Sequence, residues 1–110
     1  LAENDPQLLN AKGFNNLYLL QGDAAAVLSH PASGRVLRLW TDLPALVFYS
    51  GGYFDGSLAL CGGGYANRAC ALALEPQLLP ITPFARQASF VTTPDQPFDH
   101  WITYEFAVQG

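Results

Sequence analysis

Glu75 closes the apolar run Ala69-Cys70-Ala71-Leu72-Ala73-Leu74 and is followed at once by Pro76 and Gln77. A carboxylate carried to the end of a buried strand is costly unless it is paired, hydrogen-bonded or put to use. Pro76 biases Glu75 towards an extended backbone and, lacking an N–H, ends the ladder there. The carboxylate is then held on a rigid strand end, aimed at whatever lies beyond. Partial desolvation would raise its pKa towards the range useful to a general base. The residue types leave a second reading open, a structural Glu paired with one of the four arginines.

The rest of the chain offers little other chemistry. Lys12 is the only lysine, so there is no phosphate loop of the G-x-x-x-x-G-K type, and no G-x-S-x-G elbow occurs. Gly62-Gly63-Gly64 reads as a turn or a close-packing site. His30 precedes Pro31 in a hairpin loop with no evident partner, and His100 reads as a solvated residue at the start of the last strand. Cys61 and Cys70 fit no zinc-ligand spacing, and the two histidines lie far apart in sequence, so no metal site is expected. The cysteines read as reduced apolar thiols in preference to a hairpin disulfide. Cys70 is expected within a buried strand and Cys61 near the Gly-rich turn.

The elements that must hold Glu75 are short and closely spaced. Ten Gly and eight Pro punctuate the chain. Between them lie β-rich runs at Leu17–Gln21, Ala24–Ser29, Arg35–Thr41, Leu46–Ser50, Ala69–Glu75, Ala88–Thr92 and Trp101–Val108. Leu46–Ser50 is continuously apolar, as for a strand covered on both faces. In the last run Ile102, Tyr104, Phe106 and Val108 alternate with Trp101, Thr103, Glu105 and Ala107, which predicts a core face carrying Ile102, Tyr104 and Phe106. No segment sustains helical periodicity. The pattern predicts an all-β antiparallel sandwich or barrel, with residues 1–12 a loop or linker leading into the first strand.

Composition bounds the partners. At 110 residues and 11.9 kDa the chain holds one domain. Half its residues are hydrophobic, which excludes intrinsic disorder. Five basic against nine acidic residues give −4, without the electrostatic footprint of a nucleic-acid binder. No uncharged stretch approaches the ~20 apolar residues of a membrane span, and no secretory signal is evident. Only 13% of residues are charged, against roughly 25% in an average domain, and there is no Met. Both features predict a processed or cut piece of something larger.

Asp42-Leu43-Pro44-Ala45-Leu46-Val47-Phe48-Tyr49-Ser50-Gly51, followed by Asp55-Gly56 and then Leu74-Glu75-Pro76-Gln77, resembles the C-terminal half of the galactose mutarotase (aldose 1-epimerase) family. That family carries T-x-x-P-x-L-x-x-Y-[TS]-G, a D-G turn and then L-E-P-Q, and here Thr41, Pro44, Tyr49 and Gly51 fall in order. Ser33-Gly34-Arg35-Val36-Leu37 fits the hairpin before T-x-x-P, and Tyr104-Glu105-Phe106 looks like the family's last strand. The likeness runs from about Gly13 to the C-terminus.

The resemblance implies an antiparallel supersandwich of which residues 13–110 form the C-terminal part. It implies an isomerase that interconverts the α and β anomers of an aldose in the cytoplasm, without metal or organic cofactor. Carried over, Glu75 is the general base that takes the C1 hydroxyl proton. The acid His that protonates the ring oxygen is expected in an N-terminal half outside these residues. Where the family has G-x-D-H, this chain has Gly13-Phe14-Asn15-Asn16, so Asn15 replaces the sugar-binding Asp and is expected on the cleft side near Glu75. Asn can donate and accept hydrogen bonds but cannot accept as a charge. The alternative reading is therefore a non-catalytic carbohydrate-binding or regulatory relative.

Overall fold

The computed structural model describes residues 5–22, 24–80 and 91–109. Among the described residues the secondary structure is all-β apart from a short helix, α1 (Pro6–Ala11), and a 3-10 turn. The strands are β1 (Asn15–Leu19), β2 (Ala26–His30), β3 (Arg35–Thr41), β4 (Ala45–Tyr49), β5 (Ala73–Gln77) and β6 (Ile102–Val108). They form two three-stranded sheets, β1-β4-β5 and β2-β3-β6. The chain divides into two compact units, Leu1–Tyr18 with Leu46–Glu75, and Leu19–Ala45 with Pro76–Gly110.

The first unit begins with α1, in the stretch that reads as loop in the sequence. Local chemistry makes the helix. The Asp5 side chain caps it by accepting the Gln7 N–H at 2.9 Å, and Pro6 takes the first turn, where a missing N–H costs nothing. Lys12, at φ 54°, ends it in a left-handed conformation. Apolar periodicity cannot reveal so short a helix, whereas the Asp-Pro pair does carry a start signal.

In the first unit's sheet, β4 is central. The Ser50 N–H donates to the Phe14 carbonyl at one end of β1–β4, and the Leu20 N–H to the Pro44 carbonyl at the other, each at 3.0 Å. The two strands are therefore antiparallel. Ala45 and Leu46 are buried, but Val47, Phe48, Tyr49 and Ser50 are only half-buried, so the described residues cover Leu46–Ser50 less completely than its apolar run predicts. The strand expected over Ala69–Glu75 instead begins at Ala73 and continues through Pro76 to Gln77. Ala69 has φ 59° and the Cys70 N–H bonds the Asn67 carbonyl, so the chain is still turning there. Cys70 accordingly lies outside the strand and is exposed, as is Cys61, and both are free thiols. Pro76 does not end the ladder: among the described residues β5 is an edge strand, and an edge tolerates a residue without an N–H. A Cβ added at Gly62, Gly63 or Gly64 would meet nothing within 4 Å, so the triple glycine serves a turn.

In the second unit, β3 pairs antiparallel with β2 (Leu28 opposite Leu37) and with β6 (Arg38 opposite Glu105). β2 and β3 are joined by a 3-10 turn, Pro31–Ser33, closed by Gly34 at φ 65°. The alternation along β6 is as the sequence reads, but the burial is not. Ile102, Tyr104 and Phe106 are all exposed, Phe106 at 80%, and only Ala107 on the opposite face is half-buried. The core of this unit comes from Val36, Leu39, Leu43 and Ala45 instead. On the β6 face with Leu28 and Leu37, Leu39 is fully buried, but the described residues leave Tyr104 beside it and Phe106 beyond it uncovered. Of the run Ala88–Thr92, residues 88–90 lie outside the described residues, and Val91 and Thr92 form no strand.

Candidate functional site

Glu75 is the middle residue of β5, and Asn15 opens β1. Both strands flank β4, so their backbones stand two strand spacings apart, about 10 Å across the sheet. Both residues are exposed. The desolvation that the apolar run predicts for Glu75 is therefore absent. Apolar neighbours in sequence alternate between the two faces of a strand and need not cover the carboxylate. Among the described residues no ion pair reaches Glu75. Arg38 is engaged instead by Glu105 across β3–β6, at 2.5 Å.

The start of β1 is tied on two sides. Asn16 donates from Nδ2 to Gln7 Oε1 of α1 at 3.2 Å, and its Oδ1 accepts the Asn15 N–H at 3.3 Å. Asn16, with Asp5, Gln7, Leu8, Phe14 and Tyr18, lines a small recess of about 90 Å³. Alternation sends the Asn15 side chain to the opposite face of β1. On the β4 side, the Ser50 hydroxyl accepts the Phe14 N–H at 2.8 Å.

The segment after β4 is fixed in turn. The Tyr49 hydroxyl accepts the Tyr53 N–H at 3.1 Å, and the Tyr53 hydroxyl donates to the Asn10 carbonyl at 3.3 Å. Gly51, at φ 70°, leaves room for the Phe54 ring, which a Cβ would approach to 3.0 Å. In the Asp55-Gly56 turn, the Asp55 carboxylate accepts from the Ser57 hydroxyl at 2.6 Å and the Ser57 N–H at 2.9 Å. These bonds, the hydroxyl's first, hold the Asp55 pKa below its ordinary value.

One constellation in the second unit escapes the sequence reading. His100 is not merely solvated. Its Nδ1 lies 3.0 Å from Asp42 Oδ2, and its ring packs against Phe98 with centroids 4.5 Å apart and planes tilted by 60°. Asp42 Oδ1 also accepts the Trp101 N–H at 3.0 Å, and Thr41 Oγ1 donates to the Trp101 carbonyl at 2.8 Å. The Trp101 N–H and, secondarily, His100 hold the Asp42 pKa below its ordinary value. The signal was a short acceptor in a Thr-x-x-Pro turn. Its partners lie 58 and 59 residues away, beyond the reach of local pattern. His30, at the end of β2, is 2.8 Å from the Ser33 hydroxyl, a contact within its own turn.

The Aldose 1-epimerase family model matches residues 2–105. Human galactose mutarotase is 30% identical over 109 residues, covering 93% of this chain. The bovine galactose mutarotase is 31% identical over 110 residues, also covering 93% of the chain. Aldose 1-epimerase of Escherichia coli (strain K12) is 36% identical over 88 residues, 76% of the chain. The chain spans 31% of the length of the two mammalian proteins and 25% of the bacterial one. No helix among the described residues is long and apolar enough to cross a membrane. A family match across nearly the whole chain, together with antiparallel sheets that bring the Leu-Glu-Pro-Gln strand beside the Tyr-Ser-Gly strand, shows that this chain belongs to the aldose 1-epimerase family.

Proposed function

We propose that this chain supplies the base side of an aldose 1-epimerase. Glu75 takes the proton from the C1 hydroxyl of a cyclic aldose while an acid protonates the ring oxygen. The C1–O5 bond breaks, giving the open-chain aldehyde. Rotation about C1–C2 and reclosure on the other face of the carbonyl give the other anomer, with the same two groups returning the protons in reverse. Only protons move between protein and sugar, so the steps call on side chains alone. Asn15 holds a sugar hydroxyl by donating and accepting hydrogen bonds.

The observation that carries this reading is Glu75 exposed in the middle of β5, in a sheet that also carries Asn15, within a chain of the aldose 1-epimerase family. In the same reading residues 13–110 are the C-terminal part of a larger mutarotase-like sandwich. The acid His and the layer over β2-β3-β6 come from polypeptide preceding residue 1. The exposed face of Leu28, Ile102, Tyr104, Phe106 and Val108 supports that part. Two free thiols agree with a reducing, cytoplasmic setting.

The test is the decay of optical rotation of freshly dissolved α-D-galactose with the full-length protein and its Glu75→Gln variant. Acceleration that vanishes in the variant supports the mechanism. Sugar binding without acceleration by the wild type would mark a non-catalytic carbohydrate-binding relative, the reading that Asn15 in place of an acid favours.

A further inference from the structure

Ser50 takes no part in the proton transfers above, yet it is tightly engaged within the first unit. It follows β4 directly and stands opposite Phe14. Its hydroxyl accepts the Phe14 N–H at 2.8 Å and reaches back to the Phe14 carbonyl at 3.4 Å. Its own N–H donates to that carbonyl at 3.0 Å. One residue thereby satisfies both polar main-chain groups of the residue before Asn15.

The contact extends one residue further back. A Cβ at Gly13 would lie 2.5 Å from Ser50 Oγ, and Gly13 has φ +138°, a region that side chains disfavour. Glycine there lets the hydroxyl approach the backbone. The Phe14 ring rests against Phe48, centroids 5.4 Å apart, on the strand that Ser50 ends. Backbone and side chain of Phe14 are thus both held from β4, and the direction in which β1 leaves is fixed where Asn15 begins it.

We propose that Ser50 is a positioning residue for Asn15: its hydroxyl sets the backbone from which Asn15 reaches the sugar. This rests on the reading of Asn15 as a substrate-binding group. The prediction concerns binding geometry. Losing the hydroxyl removes a partly buried hydrogen bond, whose ordinary net worth corresponds to about a three- to ten-fold effect.

The experiment is mutarotation kinetics on α-D-galactose with full-length Ser50→Ala, Ser50→Thr, Asn15→Ala and the double variant Ser50→Ala/Asn15→Ala. Ser50→Ala should raise KM about three- to ten-fold with kcat within about two-fold, leaving the pH profile of kcat unchanged. Ser50→Thr, which keeps the hydroxyl, should restore KM. In the Asn15→Ala background Ser50→Ala should add nothing, because its effect passes through the side chain already removed. Should Ser50→Ala fail to fold, Ser50→Cys keeps the size with a much weaker hydrogen bond. A full additional KM penalty in the double variant would overturn the proposal, as would a normal KM in Ser50→Ala beside a raised KM in Asn15→Ala. An unchanged KM in Asn15→Ala would instead bring down the reading of Asn15, and the positioning role with it.

Discussion

Asp42 bonds His100 through one carboxylate oxygen and the main chain at Trp101 through the other, each at 3.0 Å. With Thr41 on the Trp101 carbonyl, the turn after β3 grips the residue that leads into β6 on both sides. The motif segment Thr41–Pro44 thus has a structural role of its own.

This grip should depend on acid. The Asp42 pKa lies below its ordinary value of 3.8, chiefly because the ionised form accepts the Trp101 N–H. A carboxyl whose folded pKa is depressed stabilises the fold above its unfolded pKa and loses that contribution as pH falls through the folded value. Asp42→Asn should therefore lower the urea midpoint at pH 7, and the gap from wild type should narrow as pH falls from 7 to below the ordinary Asp value of 3.8. A gap of equal size at both pH values would show that the charge is irrelevant.

Removing the proposed base should cost chemistry more than binding. Glu75→Gln keeps the shape and a hydroxyl contact but cannot accept the C1 proton. A loss in kcat of about 10²–10⁴-fold is expected, with KM changing much less. Full activity in the variant would end the mechanism.

Asn15→Asp restores an anionic acceptor at an exposed strand position. It should leave the thermal midpoint within a few degrees and raise kcat/KM on ordinary hexoses several-fold, since hydrogen bonds to charged acceptors are roughly twice as strong as neutral ones. No gain would mean that Asn15 does not meet the sugar.

Gly34 is the glycine least able to accept a side chain. An added Cβ would run into the Gln109 carbonyl, while the Gly34 carbonyl accepts the Gln109 N–H at 2.8 Å. Gly34→Ala also places a side chain at φ 65°. A loss of at least about 1–3 kcal/mol is expected, read as a fall in the denaturation midpoint. Gly62→Ala, which meets nothing, is the control.

Residues 1–110 expressed alone should self-associate. The face of β2-β3-β6 exposes Phe106 at 80% and Val108 at 74%, beside Leu28, Ile102 and Tyr104. Contiguous apolar surface of this kind drives association. Light scattering after size exclusion should show oligomers that Phe106→Ser with Val108→Ser diminishes. A monodisperse monomer of the unaltered piece would count against the uncovered-face reading.

What was legible in the sequence follows from range. Arg35–Thr41 reads as a strand because a β-rich run between turn residues is a local signal, and β3 has those bounds. The apolar run Leu46–Ser50 reads as a strand, and β4 spans Ala45–Tyr49, but the cover on both faces that the run predicts is partial because it depends on layers that a local pattern does not carry. Alternation in Trp101–Val108 gives the faces but not which one is covered, because covering requires a second layer. Ala69–Leu72 reads as strand from composition, but the positive φ at Ala69 turns the chain first. Glu75 and Asn15 are named by their motifs. The Ser50 contact to Phe14 spans 36 residues, so only coordinates disclose it.

Pro76 follows Glu75 within β5, an edge strand among the described residues. Without an amide hydrogen, Pro76 withholds one ladder donor from whichever strand pairs on its side of β5, beside the carboxylate assigned the base role.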